Sequence, residues 1–92
     1  MPRHGRTRLR KIIPTSAGQD IFSAKGDIDG HVRVETYPWT GKEIFIDLFD
    51  SSVRDADEAH ITSESFPTTG DGAREATKFL RDNGFGLRLT IG

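Results

Sequence analysis

The stretch His31-Val32-Arg33-Val34-Glu35-Thr36-Tyr37-Pro38-Trp39-Thr40-Gly41-Lys42-Glu43-Ile44-Phe45-Ile46-Asp47-Leu48-Phe49 decides the fold. Its opening residues alternate. Val32, Val34 and Thr36 share one face and His31, Arg33, Glu35 and Tyr37 the other, because successive side chains of a strand point to opposite sides. Pro38 through Gly41 break the pattern and supply a turn. Residues 43–49 alternate again, with Ile44, Ile46 and Leu48 opposed to Phe45, Asp47 and Phe49. Both of those faces are largely apolar, which argues for a central strand. With the turn centred on Thr40, Val34 pairs with Ile46 and Val32 with Leu48, and Arg33 faces Asp47 as an opposite-charge pair. A one-residue slip would set Val32 against Asp47 and mismatch both faces.

Outward from this hairpin the signals are shorter. Residues 6–13 read as an edge strand ended by Pro14, which has no amide proton to give a ladder. A loop around Gly18, a short strand over 21–24 and a Gly/Asp-rich turn over 25–30 precede the hairpin. After it, residues 51–59 read as an acidic loop with Asp55, Asp57 and Glu58. Residues 60–66 have strand propensity with a weak pattern, and 67–70 form a turn. A helix is expected over 71–83, where Ala73, Ala76, Thr77 and Leu80 follow the helical period and Phe79 widens the stripe. Asp71 is the expected N-cap, Lys78 and Arg81 suit the C-terminal end of the dipole, and Asn83-Gly84 suits a left-handed C-cap. Phe85, Leu87, Leu89 and Ile91 then alternate as a final strand returning to the sheet. The fold class is α+β: a small, mostly antiparallel sheet with one C-terminal α-helix packed on one face, followed by a final strand.

Ninety-two residues make one domain, which buries only roughly 60–65% of its unfolded surface. With no cysteine, disulfides, thiol chemistry and thiolate metal ligands are excluded. A modest core and no staples make homo-oligomerisation the expectation. No apolar run approaches the ~20 residues of a membrane span, and no apolar segment follows the N-terminal bases as in a secretory signal, so the expected location is cytoplasmic, with no membrane partner. The net charge of -1 conceals an asymmetry. Residues 1–11 hold Arg3, Arg6, Arg8, Arg10 and Lys11 and no acid, whereas the rest holds 8 bases and 14 acids. We therefore expect a flexible basic arm over 1–11 and an acidic domain over 12–92, with any weak nucleic-acid contact made by the arm and not by the body.

Gly30-His31-Val32-Arg33-Val34-Glu35-Thr36-Tyr37-Pro38, followed by Ile44-Phe45-Ile46-Asp47-Leu48-Phe49, resembles the core of bacterial pyruvoyl-dependent S-adenosylmethionine decarboxylases. The resemblance spans about 20 residues and implies an α/β sandwich assembled from paired subunits. His31 and Asp47 match that family's pattern. The residues of its chemistry do not carry over. The serine that becomes the pyruvoyl group falls at Gly30, which has no hydroxyl. The processing histidine falls at Glu35, and the catalytic cysteine falls near Ser51. The resemblance thus implies a fold with its chemistry removed, able at most to hold a small adenosyl ligand.

No other motif carries chemistry. His31 and His60 with Asp47 or Asp50 would make an N/O metal site only if the strands brought them together, and no close ligand spacing supports one. The acids of residues 47–58 lack the spaced oxygens of a calcium loop and read as a solvated face. The glycines at 26–30 lack phosphate-loop spacing and a helix behind them, while Gly70-Asp71-Gly72 precedes a helix whose N-terminus could take an anion only weakly, because Asp71 would repel it. Trp39 is either a lid folded over Phe45 or an exposed anchor. The leading reading is a non-catalytic interaction domain that oligomerises through its sheet, needs no cofactor or metal, and contacts a ligand or partner through His31, Glu35, Tyr37, Trp39, Phe45, Asp47 and Ser51.

Overall fold

Alternation of β-branched and aromatic residues makes two ten-residue strands of the central hairpin, β3 (Ile28–Tyr37) and β4 (Gly41–Asp50). The computed structural model of the chain describes residues 9–24 and 26–91. Before the hairpin come β1 (Arg10–Ile12) and β2 (Gln19–Phe22). After it come a single helical turn, α1 (Ala56–Ala59), then β5 (His60–Pro67), the long helix α2 (Gly70–Asp82) and β6 (Leu87–Leu89). Strands β2-β3-β4-β5 form an antiparallel sheet in chain order, so β3 and β4 are central as their apolar content requires.

The hairpin register differs from the expected one by two residues. Val34 pairs with Ile44 and Val32 with Ile46, because Tyr37 pairs with Gly41 and the turn centres on Trp39. Gly41, at φ 83°, supplies the left-handed residue that closes this turn. A shift of two preserves parity, so each side chain keeps its expected face. Val32, Ile44, Ile46 and Leu48 are all fully buried on the inner side. Between β4 and β5 the pairing slips at Leu48/Phe49, whose partners are Thr62 and His60. Ile61 is the extra residue of this bulge, and it interrupts the alternation that residues 60–66 would otherwise show.

Helix α2 lies on the inner face and completes the core with Ala73, Ala76, Thr77 and Leu80. Its N-cap is Thr69, not the expected Asp71: the Thr69 hydroxyl accepts the Gly72 amide at 3.0 Å. The N-cap therefore lies two residues earlier than expected and the helix starts at Gly70, with Gly72 inside it. A Cβ at Gly72 would land on the carbonyl oxygen of Pro67, so this glycine lets α2 approach β5. Gly84, at φ 93°, ends the helix as expected. The final strand does not rejoin the main sheet. β6 pairs in parallel with β1, Ile12 beside Leu89, and the two cover one flank of the core with Phe85 and Leu87. The expected acidic loop contains α1, capped by Asp55, whose carboxylate accepts the amides of Asp57 and Glu58.

Arg10 and Lys11, assigned by sequence to the arm, stand in β1. Arg3, Arg6 and Arg8 lie outside the described residues. Among the described residues no helix is long and apolar enough to cross a membrane.

Candidate functional site

The molecule is 18 Å thin, the depth of a sheet and one helix layer at about 10 Å each. One sheet face is buried under α2, and among the described residues no helix or strand covers the other. That open face is where strand parity places the odd-numbered residues of β3 and β4: His31, Arg33, Glu35, Tyr37, Phe45, Asp47 and Phe49. Asp20 and Phe22 of β2 and Ser63 and His60 of β5 continue the surface on either side.

A chain of polar contacts crosses it. The Tyr37 hydroxyl donates to Glu35 Oε2 at 2.5 Å. Arg33 donates through Nε to Glu35 Oε1 and through Nη1 to Asp47 Oδ2, the latter at 2.5 Å. Asp47 Oδ1 accepts from the Ser63 hydroxyl at 2.6 Å, and Ser63 also lies 2.7 Å from His60 Nε2. Arg33 thus meets Asp47 as a diagonal neighbour; the directly opposite residue is Phe45, over whose ring the guanidinium carbon sits at 4.6 Å. Aromatic contacts bound the network at both ends. Trp39 stacks on Tyr37 with centroids 5.6 Å apart, and His60 meets the Phe49 ring edge-on at 5.6 Å.

This network holds its charges fixed. Burial alone would lower the Arg33 pKa, but the hydrogen bonds to Asp47 and Glu35 outweigh it and raise the value further. Burial likewise pushes Asp47 up, and the hydrogen bonds from Ser63 and Arg33 overcome it and hold the carboxyl below its usual range. The Tyr37 hydroxyl, then Arg33, lower Glu35, and the same Glu35 contact raises Tyr37. Each resolved shift moves its group away from neutral pH. A proton-transfer site requires the opposite, a pKa brought toward the operating pH.

The structure brings together His31, Glu35, Tyr37, Trp39, Phe45 and Asp47 on one face and leaves Ser51 out. Ser51 follows the far end of β4, eight residues beyond the Glu43 that pairs with Glu35, or roughly 26 Å along the strand. Its amide and hydroxyl both bond the Asp27 carbonyl, so it closes the Asp27–Ser51 end of the hairpin. Gly30 is buried on the inner side, where an added Cβ would press on Ile21 and Leu48. His31 and His60 do not meet. They lie on β3 and β5 with β4 between them, at least two strand spacings or roughly 9 Å apart. His31 Nδ1 lies 2.9 Å from Asp20, and its ring rests on Gly18, which has no side chain to obstruct it. Among the described residues no group of three His, Asp or Glu side chains is placed to hold a metal ion.

Trp39 is 77% exposed, so it is not a lid over Phe45. Phe22, 64% exposed at the sheet edge, was not singled out by sequence; its only signal was an aromatic residue in a short edge strand. Compared with family models, with curated proteins and with solved structures, the chain matches none.

Proposed function

We propose that the protein is a non-catalytic interaction domain that docks a partner, in the first instance a second copy of itself, on its open sheet face. The observation that carries this reading is that face itself: Phe22, Tyr37, Trp39, Phe45 and Phe49 surround an internally satisfied Arg33–Asp47 pair. Aromatic residues and arginine are enriched where proteins bind one another. Because Arg33 is paired within the chain, a partner need not neutralise it. Four strands about 4.8 Å apart, of four, ten, ten and eight residues, present roughly 500 Å² of sheet, and the Trp39 turn extends this toward the ~800 Å² per partner of a standard interface. Sedimentation of the full chain over a range of concentrations tests this. The wild type should self-associate, and Phe22→Asp and Trp39→Ala should weaken association by at least tenfold. A wild type that stays monomeric at high micromolar concentration, or variants that associate equally well, would overturn the self-docking reading.

One observation favours a second reading, a decarboxylase-like fold without its chemistry. The two residues that match that family, His31 and Asp47, are direct cross-strand partners. Titration calorimetry with S-adenosylmethionine checks it: heat and a raised melting temperature at millimolar ligand support it, and their absence removes it.

A further inference from the structure

The chain's excess of acid conceals a basic groove on the body. Around α2, Arg74, Lys78 and Arg81 fall on one stripe and Asp71, Glu75 and Asp82 on the next, as the 100° turn per residue dictates. The basic stripe faces β6. Between them runs a groove of about 870 Å³, floored by Ala73, Leu89 and Ile91 and rimmed by Arg74, Lys78, Arg81 and Arg88, with no acidic residue in its lining. Arg74 and Lys78 have intrahelical partners in Asp71 and Asp82. Arg81 and Arg88 have no ion pair among the described residues. The charge continues beyond the groove. Lys11 lies beside Arg88 across the β1–β6 ladder, both exposed, and Arg10 precedes it. Nine of the chain's 13 bases belong to this groove and to residues 1–11. The expectation that the body as a whole repels phosphate thus gives way to a charge-segregated one.

We infer that this groove holds the phosphate backbone of single-stranded nucleic acid. The groove runs along a helix roughly 20 Å long and is bounded by α2 and β6, packed elements roughly 10 Å apart, so one extended strand can lie along it while a duplex is too wide to enter. Phosphates meet the cationic rim, and sugars and base edges rest on Ile91, the exposed apolar residue of the lining. With no aromatic residue in the lining there is no base-stacking platform, so binding is independent of sequence and weak, roughly 10⁻⁵ M.

Fluorescence anisotropy with a labelled mixed-sequence single strand, read on the full chain, tests the assignment. Four phosphate contacts predict a loss on the order of 50-fold between about 50 and 200 mM salt. Arg81→Glu with Arg88→Glu should weaken binding at least tenfold, and the neutral pair Arg81→Gln with Arg88→Gln should lower the salt slope by about half. Circular dichroism of each variant confirms folding, and the glutamine pair carries the test should charge reversal disturb the helix end. Three results would overturn the inference. Both double variants bind like the wild type; Arg3, Arg6 and Arg8→Ala together abolish binding while the groove variants do not; or polyglutamate competes as well per charge, which makes the occupant an acidic peptide. A duplex of the same sequence should bind less tightly, and tighter duplex binding would contradict the single-strand fit.

Discussion

Arg33 links three residues of the open face, so its removal has separable consequences. Arg33→Met keeps the stem over Phe45 but strips Asp47 of its cation while Asp47 is only 16% exposed. We expect a loss of about 1–2 kcal/mol in urea unfolding, the range for a half-buried, charge-assisted hydrogen bond. Acid titration should report the same pair. The Asp47 pKa is depressed in the fold, so its contribution is complete above the unfolded value near ~3.9 and disappears as pH falls through the folded one. Asp47→Asn should therefore cost stability at about pH 6, and wild type and variant should converge once pH has fallen through the depressed Asp47 pKa. Tyr37 behaves in the opposite sense: its pKa is raised, so the contribution is present below about pH 10 and lost as pH rises further. Trp39 gives a direct optical readout, being the one tryptophan of the chain. Its emission should resemble that of solvent-exposed indole in dilute protein and shift to the blue as self-association covers the hairpin tip. An unchanging spectrum across the association transition would place the interface elsewhere.

Elements are joined by a few side chains whose partners are not their neighbours in sequence. Thr77 is the clearest case. Buried in α2, it donates to the Ala73 carbonyl at 2.8 Å and accepts the Leu89 amide at 3.0 Å, tying the helix to β6. Thr77→Val keeps the shape but leaves the buried Leu89 amide without a partner, which should cost about 1–3 kcal/mol and speed hydrogen exchange at Leu89. Thr69→Ala, which removes the N-cap, should cost about 1 kcal/mol. The apolar stripe of α2 was legible because each buried position reports its own period. Its start was not, since Thr69 and Asp71 are both competent caps and the close approach of Gly72 to Pro67 decides between them. The hairpin failed in a related way. Alternation assigns faces and not register, so the faces of β3 and β4 were read correctly while the turn geometry shifted every pair by two. The β1–β6 pairing joins two three-residue strands from opposite ends of the chain, too short for any pattern to announce a partner.

At the scale of the whole molecule, a two-layer α+β domain follows from one amphipathic helix and one hairpin, since a single helix can shield only one side of a sheet. What the sequence obscured was where the charges go. Acids and bases are interleaved over residues 71–82, and only the 100° helical turn gathers the bases beside Arg88 into a groove, which the β1–β6 pairing extends with Lys11. The exposed aromatic edge at Phe22 is likewise a product of folding. The uncovered face also bears on stability, because a core this small gains if another surface completes it. If the open face docks a second copy, unfolding is linked to dissociation, and stability rises with protein concentration by mass action. A hundredfold increase then adds about 2.7 kcal/mol per dimer, or half of that per chain. With a slope of about 1 kcal/mol per molar urea for so small a domain, the midpoint should rise by on the order of 1 M. Phe22→Asp should leave the midpoint of dilute protein nearly unchanged, because Phe22 is exposed in the monomer, and should erase its concentration dependence. A wild-type midpoint that is flat across that range would show that the fold stands complete as a monomer and that the aromatic face is not an interface between copies. A variant destabilised equally at every concentration would instead make Phe22 part of the monomer's own packing.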